Sequence, residues 1–340
     1  MTTPMLSVQN LHVCFDVFEG EAKVLDGVNL TIGTGETVAL VGETGCGKSV
    51  TAKSVIGVLP IPPGRIVHGK INYKGSNLLE LEEVERHKIR GKEISMVFQD
   101  PMTFLNPVFK VGDQLTDIIK WQGRLRVGFV EYYKNRFDKE RNAEAWQRAV
   151  DMLDKVKLPD PERMMENYPV ELSGGMRQRV LIAMALISEP EFLIADEPGT
   201  ALDVTIQEQI LLLLKERVRE HNISVLYITH DLGVAREVSQ RIYVMYAGRV
   251  VESAPVENLF NDPKHPYTVG LLRSIPKLSG GIAEGIRGRI PDYVNPPEGC
   301  RFHPRCDHKM PICSKVRPED IQIAPDHQVA CHLFTMEKEE

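Results

Sequence analysis

The stretch Gly42-Glu43-Thr44-Gly45-Cys46-Gly47-Lys48-Ser49 fits the pattern G-x-x-x-x-G-K-[ST], which is typical of loops that bind nucleotide phosphates. The β-type run Thr37–Val41 precedes it and a helix-like segment follows, which is the context that such a loop requires. Its glycines let backbone N–H groups turn toward phosphate oxygens, and the helix N-terminus adds partial positive charge. Lys48 adds a cation and Ser49 a Mg²⁺ ligand. Residues Gly42–Val50 therefore predict a site for ATP or GTP.

The composition indicates an ordinary globular chain. Its 340 residues are 42% hydrophobic and 26% charged, which is enough for a sizeable core and one large domain with appendages. A net charge of −6 argues against a strongly electrostatic nucleic-acid binder, so no nucleic-acid partner is expected. The N-terminus lacks the pattern of a signal peptide, and no apolar run approaches the ~18 residues of a membrane span. We expect a cytosolic protein whose link to any membrane runs through other subunits.

The chain alternates strand-like and helix-like segments, as expected for an α/β fold with a parallel core sheet. A polar helical stretch, about residues 111–172, predicts an inserted helical subdomain. Residues 1–262 are expected to form the nucleotide-binding domain, and residues 263–340, rich in proline, a separate C-terminal module. The strongest predicted strands are Leu6–Asn10, Lys23–Ile32, Thr37–Val41, Phe192–Ala195 and Ser224–Thr229.

A second set of motifs follows the phosphate loop in a fixed order. Leu172-Ser173-Gly174-Gly175-Met176-Arg177-Gln178 precedes a helical run, so Ser173 occupies a helix N-terminus that could cap the helix or face a phosphate. The apolar strand Phe192–Asp196 ends in Asp196 and Glu197, which are placed to hold Mg²⁺ and to polarise a water. Asp203 and His230 complete the order.

Together these motifs resemble those of ABC-type ATPase subunits, over about residues 5–260. The resemblance implies a P-loop ATPase fold with a mixed core sheet, an antiparallel β-subdomain and a helical subdomain. It also implies ATP with Mg²⁺, the metal being held by Ser49, Gln99 and Asp196. Lys48 would grip phosphates, Glu197 would act as general base and His230 would steady the transition state. An aromatic residue near the N-terminus would stack on adenine; Phe15 fits best, Phe18 is the rival, and either could be core.

In this family Ser173, Gly174 and Gly175 resemble a loop that contacts ATP held by an opposite subunit, and Asp203 is similar to the D-loop residue of the nucleotide site. The resemblance therefore implies that two ATPase subunits close around two nucleotides, and that hydrolysis reopens them. It favours a related second ATPase as a heterodimeric partner over a homodimer. Two integral membrane permease subunits would complete the transporter, at the cytoplasmic face of the membrane, and an extracytoplasmic binding protein would choose the substrate.

The segments Phe98–Pro107 and His265-Pro266-Tyr267-Thr268 are similar to those of the dipeptide/oligopeptide (nickel) importer ATPases, as is the C-terminal extension. In that group a cysteine quartet spaced C-x5-C-x6-C-x17-C binds a [4Fe–4S] cluster. From the residues alone, four clustered thiols in a reducing compartment indicate metal ligands, and zinc or free thiols remain alternatives. The histidines nearby, His303, His308 and His332, are expected to be bystanders. The quartet comprises Cys300, Cys306, Cys313 and Cys331.

Two features depart from the group. Gly199 stands where threonine is common, and the segment Gly123–Ala143 is longer and more basic than usual. An importer of oligosaccharides with the same machinery is the main alternative. A soluble ABC ATPase of DNA repair or translation is disfavoured because the chain has neither a long coiled-coil insertion nor a second ATPase domain. A redox protein would leave the ATPase motifs unexplained, and an exporter would not explain the His-Pro-Tyr extension.

Overall fold

The computed structural model describes residues 3–124, 128, 138–199, 202–275 and 285–335. The chain divides into two compact units. Unit 1 comprises Met1–Leu79 and Leu226–Glu340, and unit 2 comprises Glu80–Val225. Much of the predicted basic segment 123–143 lies outside the described residues. So does position 201, two residues before Asp203. The predicted domain boundaries at 262 and 263 stay a prediction.

The first part of unit 1 holds β1 Leu6–Val17, β2 Gly20–Ile32, β3 Thr37–Val41, α1 Lys48–Ile56, β4 Gly64–Tyr73 and β5 Ser76–Asn77. Unit 2 holds α2 Glu83–Ile89, β6 Ile94–Val97, α3 Pro101–Phe104, α4 Val111–Trp121, α5 Lys139–Lys155, α6 Pro161–Glu166, α7 Gly174–Leu186, β7 Phe192–Asp196 and α8 Val204–Glu220. The chain returns to unit 1 within β8 Ser224–Thr229. The rest of unit 1 holds α9 Leu232–Val238, β9 Arg241–Tyr246, β10 Arg249–Pro255, α10 Val256–Asn261, α11 Pro266–Arg273, β11 Ile321–Ala324 and β12 His327–Val329.

Unit 1 contains an antiparallel sheet with the strand order β2-β1-β4-β5. Strands β1 and β2 form a hairpin, in which Val17 pairs with Gly20 across a two-residue turn. The sequence predicts that the first strand stops at Asn10, where the alternation of apolar residues breaks. The strand in fact continues to Val17 because a register shift at Asn10, whose φ is 47°, restores the alternation beyond it.

The second sheet of unit 1 is mixed, with the strand order β11-β12-β10-β9-β3-β8. Strand β3 runs parallel to β9, and β9 runs antiparallel to β10. Strand β12 pairs with β10 through Glu252 and Val329. Two short strands of the C-terminal region thus extend this sheet. The C-terminal region has few apolar residues of its own, so packing against the core of unit 1 stabilises it.

The core beside this sheet joins aromatic residues from distant parts of the chain. The rings of Tyr246 and Tyr267 lie 4.7 Å apart, and Phe302 packs edge-on against Tyr246 at 5.0 Å. All three side chains are buried among apolar residues of β3, β9 and β10. Phe302 precedes Cys306 by four positions. The cysteine-bearing segment is therefore anchored in the same core as the strands that carry the phosphate loop.

In unit 2, strand β6 pairs in parallel with β7. Unit 2 also contains a group of packed helices. Helices α4, α5 and α6 pack on one another, with Leu115, Ala149 and Met165 buried between them. These three helices lie within the stretch 111–172 that the sequence predicts to be helical. Among the described residues, no helix is both long enough and apolar enough to cross a membrane.

Candidate functional site

The predicted phosphate loop follows β3 and runs directly into α1 in unit 1. Gly42 and Gly47 have φ values of 154° and 110°, which L-residues with side chains rarely adopt. A Cβ on Gly42 would also clash with the carbonyl oxygen of Met245, and one on Gly47 would lie 2.8 Å from Cδ2 of Leu25. Close packing against β9 and β2 therefore requires glycine at both positions.

Lys48 folds back over this loop. Its side chain is buried, and Nζ donates hydrogen bonds to the carbonyl oxygens of Gly42, at 2.8 Å, and Glu43, at 3.1 Å. The ammonium group is thus held inside the loop, where a phosphate could exchange for these carbonyls. Thr44 and Gly45 are exposed at the tip, and Ser49 and Val50 are half-buried in the first turn of α1.

Cys46 lies at the buried base of the loop. Burial raises the pKa of its thiol to about 11, so the thiolate is disfavoured at neutral pH. Its carbonyl oxygen accepts a hydrogen bond from the backbone N–H of Gly248, at 2.8 Å. Any contact that this residue makes with a nucleotide is therefore expected to come from its backbone.

Gln99 and Glu197 are brought together in unit 2, after the adjacent parallel strands β6 and β7. Nε2 of Gln99 donates to Oε2 of Glu197 at 3.0 Å. Glu197 is buried and has a φ of 46°, so the chain turns sharply after β7 and presents its carboxylate at the strand end. The preceding Asp196 is also buried, with 4% of its surface exposed. Such an arrangement can hold a cation and direct a water molecule.

The predicted signature residues form the start of α7. Ser173 caps this helix, because its Oγ accepts from the backbone N–H of Met176 at 3.3 Å. A Cβ on Gly175 would lie 2.9 Å from the side chain of Ile206, and one on Gly174 would lie 3.3 Å from Leu202. The glycines thus also serve close packing near the start of α8.

Two further predicted residues lie at the ends of secondary-structure elements, and Gly199, the departure from the group, follows β7 by three positions. Asp203 caps α8, since its Oδ1 accepts from the backbone N–H of Ile206 at 3.0 Å. His230 is exposed directly after β8. Gly199 is close to Gln207, whose Cγ would lie 2.8 Å from a Cβ at this position. In this backbone conformation, glycine fits there without a shift of Gln207.

The two candidate adenine platforms differ in their surroundings. Phe15 is half-buried on β1, and its ring lies against Gly64. Phe18 occupies the turn between β1 and β2 with its side chain fully exposed, at 102%. Phe15 remains the predicted platform, because its backbone and ring are held by the sheet.

The four C-terminal cysteines carry free thiols in one region of unit 1. The backbone N–H of Cys300 donates to the carbonyl oxygen of Cys313 at 2.8 Å. Burial raises the pKa of the Cys331 thiol to about 12, and the other three cysteines shift it in the same direction. Within the described ranges, no group of three or more His, Cys, Asp or Glu residues is arranged to hold a metal ion.

The neighbouring histidines bind backbone groups. Nδ1 of His303 donates to the carbonyl oxygen of Cys300 at 2.9 Å, and Nε2 of His332 donates to that of Val316 at 2.9 Å. Three residues that the sequence does not predict as site residues also contact the phosphate loop, namely Tyr267, Tyr293 and Arg305. Only Tyr267 carried a signal, as part of the His-Pro-Tyr motif.

Comparisons with known proteins identify the family of the chain. Residues 25–200 match the ABC transporter family, and residues 251–313 match the C-terminal region of oligopeptide/dipeptide transporters. The chain is 46% identical to the dipeptide transport ATP-binding protein DppD of Bacillus subtilis, over 97% of this chain and 94% of that protein. It is 45% identical to the oligopeptide transport ATP-binding protein OppD of the same organism, over 98% of this chain and 89% of that protein.

A solved structure shows the same fold. It is the dimeric, post-hydrolysis state of the ATP-binding cassette MJ0796 bound to ADP and Pi, with a TM-score of 0.62 and 28% identity, and the match covers 74% of this chain and 99% of that one. The predicted P-loop ATPase fold is thereby confirmed. The chain belongs to the ABC transporter family, as an ATP-binding subunit of its dipeptide/oligopeptide importer branch.

Proposed function

We propose that this chain hydrolyses ATP to drive the import of dipeptides or oligopeptides through membrane permease subunits. The observation that carries the catalytic part is the pairing of Gln99 with the buried carboxylate of Glu197 at 3.0 Å. The names of the peptide-transport relatives and the match over residues 251–313 support the peptide substrate.

Each predicted residue has a role that fits its position. The loop amides and Lys48 hold the β- and γ-phosphates of ATP. The side chains of Ser49, Gln99 and Asp196 offer hydroxyl, amide and carboxylate oxygens, which are the hard donors that Mg²⁺ prefers, so they fit this ion. When bound, Mg²⁺ neutralises charge on the phosphates.

Glu197 directs the chemical step. Its carboxylate orients a water molecule and accepts a proton as the water oxygen attacks the γ-phosphoryl group, whose bond to ADP breaks. The hydrogen bond from Gln99 and the turn after β7 hold the carboxylate in place. His230 contacts the γ-phosphate and steadies the transition state.

The signature residues act on a second subunit. Ser173, Gly174 and Gly175 contact ATP that is held by a related ATPase, so that two subunits close around two nucleotides, and Asp203 belongs to the same nucleotide site. The dimeric state of the similar cassette supports this arrangement. We propose a heterodimer that docks on two permeases at the cytoplasmic face of the membrane, with an extracytoplasmic binding protein choosing the substrate.

The cysteine quartet holds a [4Fe–4S] cluster in this proposal. Four free, largely buried thiols that influence one another electrostatically are a suitable donor set. When bound, a cluster of this kind can exchange an electron.

Metal analysis tests the cluster. Anaerobically purified wild type should contain iron with matching acid-labile sulfide, and Cys306→Ser should lose both. Cys14→Ser is the matched control, because Cys14 is a buried cysteine on β1 outside the quartet. Zinc in place of iron, or iron retained by Cys306→Ser, would contradict the cluster assignment without affecting the ATPase assignment.

The substitution Glu197→Gln tests the catalytic role. It keeps an oxygen that accepts the bond from Gln99 but removes the basic carboxylate, so ATP binding should persist while phosphate release falls about 100- to 10,000-fold. Glu216→Gln, at an exposed position of α8, is the control and should hydrolyse ATP normally. Phosphate release by Glu197→Gln above a tenth of the wild-type rate would refute the assignment.

Uptake measurements separate peptides from sugars. Cells that carry the wild-type chain should accumulate labelled oligopeptides, and cells that carry Glu197→Gln should not. If uptake of labelled oligosaccharides responds to the substitution and peptide uptake does not, the alternative substrate class is correct.

A further inference from the structure

Three side chains from the C-terminal part of unit 1 contact the phosphate loop directly. The phenol oxygen of Tyr267 accepts a hydrogen bond from the backbone N–H of Glu43 at 3.0 Å. The hydroxyl of Tyr293 donates to the carbonyl oxygen of Gly45 at 2.8 Å. Nη1 of Arg305 donates to the carboxylate of Glu43 at 3.0 Å. Two positions of the loop, Glu43 and Gly45, are thus held by side chains from outside the loop.

Tyr267 is itself fixed in one position. It lies in the first turn of α11, where Nδ1 of His265 accepts from its backbone N–H at 3.0 Å. Its ring is fully buried and packs against Tyr246 and Phe302. Burial raises the pKa of its hydroxyl far above the usual value, so the group stays a neutral phenol. A rigid acceptor therefore faces the amide of Glu43.

Arg305 is held as firmly. Nε donates to the carbonyl oxygen of Arg287 at 2.7 Å, and the guanidinium lies 5.6 Å from the ring centre of Tyr246. Only 7% of its side chain is exposed. Because the fork of the guanidinium is already oriented, little entropy is lost when it also binds Glu43. The ion pair is shielded enough from water to contribute more than a surface pair would.

Tyr293 is attached to the strand next to the loop. Its carbonyl oxygen accepts from the backbone N–H of Lys23 on β2 at 2.8 Å. The guanidinium of Arg301 lies 6.0 Å from its ring centre and donates to the carbonyl oxygen of Ala247 at 2.6 Å. The hydroxyl of Tyr293 therefore reaches Gly45 from a well-anchored segment.

We propose that Tyr293 and Arg305, together with Tyr267, are positioning residues that hold the phosphate loop in its nucleotide-binding conformation. A flexible loop must lose conformational freedom when it wraps around phosphates, and fixing it beforehand reduces that cost. This role deepens the nucleotide-binding function of the same loop and rests on it. It assigns to the C-terminal extension a contribution to ATP affinity within a single chain.

Loss of any of these three positioning residues should raise the KM for ATP and leave kcat unchanged. The loop holds the phosphates in the ground state and in the transition state alike, and a loss of such uniform binding raises KM while kcat is unchanged. A purely structural contact would lower stability and the amount of folded protein instead. The two effects can therefore be separated in one set of variants.

The variants Tyr293→Phe and Arg305→Ala test this role in the full-length chain. Removing one neutral hydrogen bond should raise KM and Kd for ATP about threefold to tenfold, and removing the charged one by about tenfold or more. Arg305→Lys should restore part of the affinity, because it keeps the charge but not the fork. The measurements are the dissociation constant of ATP from titration calorimetry, steady-state phosphate release and the melting temperature.

Two substitutions in unit 1 serve as matched controls. Tyr243→Phe removes a buried hydroxyl that is bonded to the backbone of Thr31, at 3.1 and 3.2 Å, and should lower the melting temperature without changing KM. Arg273→Ala removes an exposed arginine on α11 and should change neither the melting temperature nor the KM for ATP.

If Tyr293→Phe and Arg305→Ala behave like Tyr243→Phe, with an unchanged KM, the proposal is overturned. If Arg305→Ala fails to fold, Tyr293→Phe alone decides, because it removes a single oxygen atom at a half-buried position. A wild-type chain that binds no ATP would overturn the nucleotide site itself, which is a different result from equal binding by wild type and variants.

Discussion

The substitution Glu252→Ala should destabilise unit 1 severely, because this carboxylate is fully buried and organises the turn before α11. Its two oxygens accept from the backbone N–H groups of Lys264, at 2.8 Å, and His265, at 2.9 Å. The ring nitrogen Nε2 of His327 donates to it at 2.8 Å. The carboxylate thereby ties α11 and β12 to β10, on which Glu252 lies.

The size of the effect follows from the donors that alanine would leave without an acceptor. Each buried donor left unsatisfied costs about 1–3 kcal/mol, so three of them amount to about 3–9 kcal/mol. A typical free energy of unfolding is about 5–15 kcal/mol, so the loss is a large part of the total. Glu252→Gln keeps one acceptor oxygen and should cost less than Glu252→Ala.

Urea unfolding followed by circular dichroism measures this effect, together with hydrogen exchange at the amides of Lys264 and His265. Both amides should lose protection in Glu252→Ala. Glu216→Ala removes an exposed carboxylate paired with Lys157 and should leave stability nearly unchanged. A loss below about 1 kcal/mol in Glu252→Ala would show that water replaces the carboxylate at little cost, and would refute the reasoning.

The same carboxylate predicts a dependence on pH. Burial alone would raise the pKa of Glu252, but the hydrogen bonds from His327 and the two backbone amides outweigh it and lower the pKa below its ordinary value. A depressed pKa stabilises the fold above the unfolded value, and that contribution disappears as pH falls through the folded value. The difference in stability between wild type and Glu252→Gln should therefore be largest near neutral pH and shrink below pH 4.5. A constant difference across that range would contradict this assignment.

Three further substitutions test the site. Gly42→Ala should abolish ATP binding in titration calorimetry, since its Cβ would clash with Met245 and its φ suits glycine; normal affinity would show that the loop can relax. Lys48→Ala should weaken ATP binding about tenfold or more through loss of a charged donor, and unchanged binding would contradict its role. Asp203→Ala should lower stability by about 1 kcal/mol through loss of the cap on α8, with Asp203→Asn as the control that retains it; equal melting temperatures would refute the cap.

The features that the sequence predicts well are local ones. The phosphate loop is recognisable because glycines, lysine and serine stand at fixed spacings between a strand and a helix, and β3 has the predicted bounds Thr37–Val41. The sequence predicts Ser173 at a helix N-terminus for the same reason, and in the structure its side chain caps α7. Such features depend on a few neighbouring residues, whose conformational preferences are strong enough to show in a single sequence.

The features that the sequence does not reveal depend on contacts between distant positions. The pairing of Glu252 with Val329 decides that the C-terminal region joins the sheet of unit 1. No local pattern indicates that Arg305 meets Glu43 or that Tyr293 meets Gly45. An arginine or a tyrosine in a proline-rich segment has many possible partners, and only the folded chain selects one.

The His-Pro-Tyr motif shows how a recognisable pattern can hide its physical meaning. His265 caps α11 and Pro266 begins it, so these two residues act locally. Tyr267 acts over a long distance, because its hydroxyl meets the amide of Glu43. Glu252 binds the amide of His265, so one continuous set of hydrogen bonds runs from β10 through α11 to the phosphate loop. A motif that is similar to those of the importer ATPases is thus, in the structure, joined to the phosphate loop by a hydrogen bond.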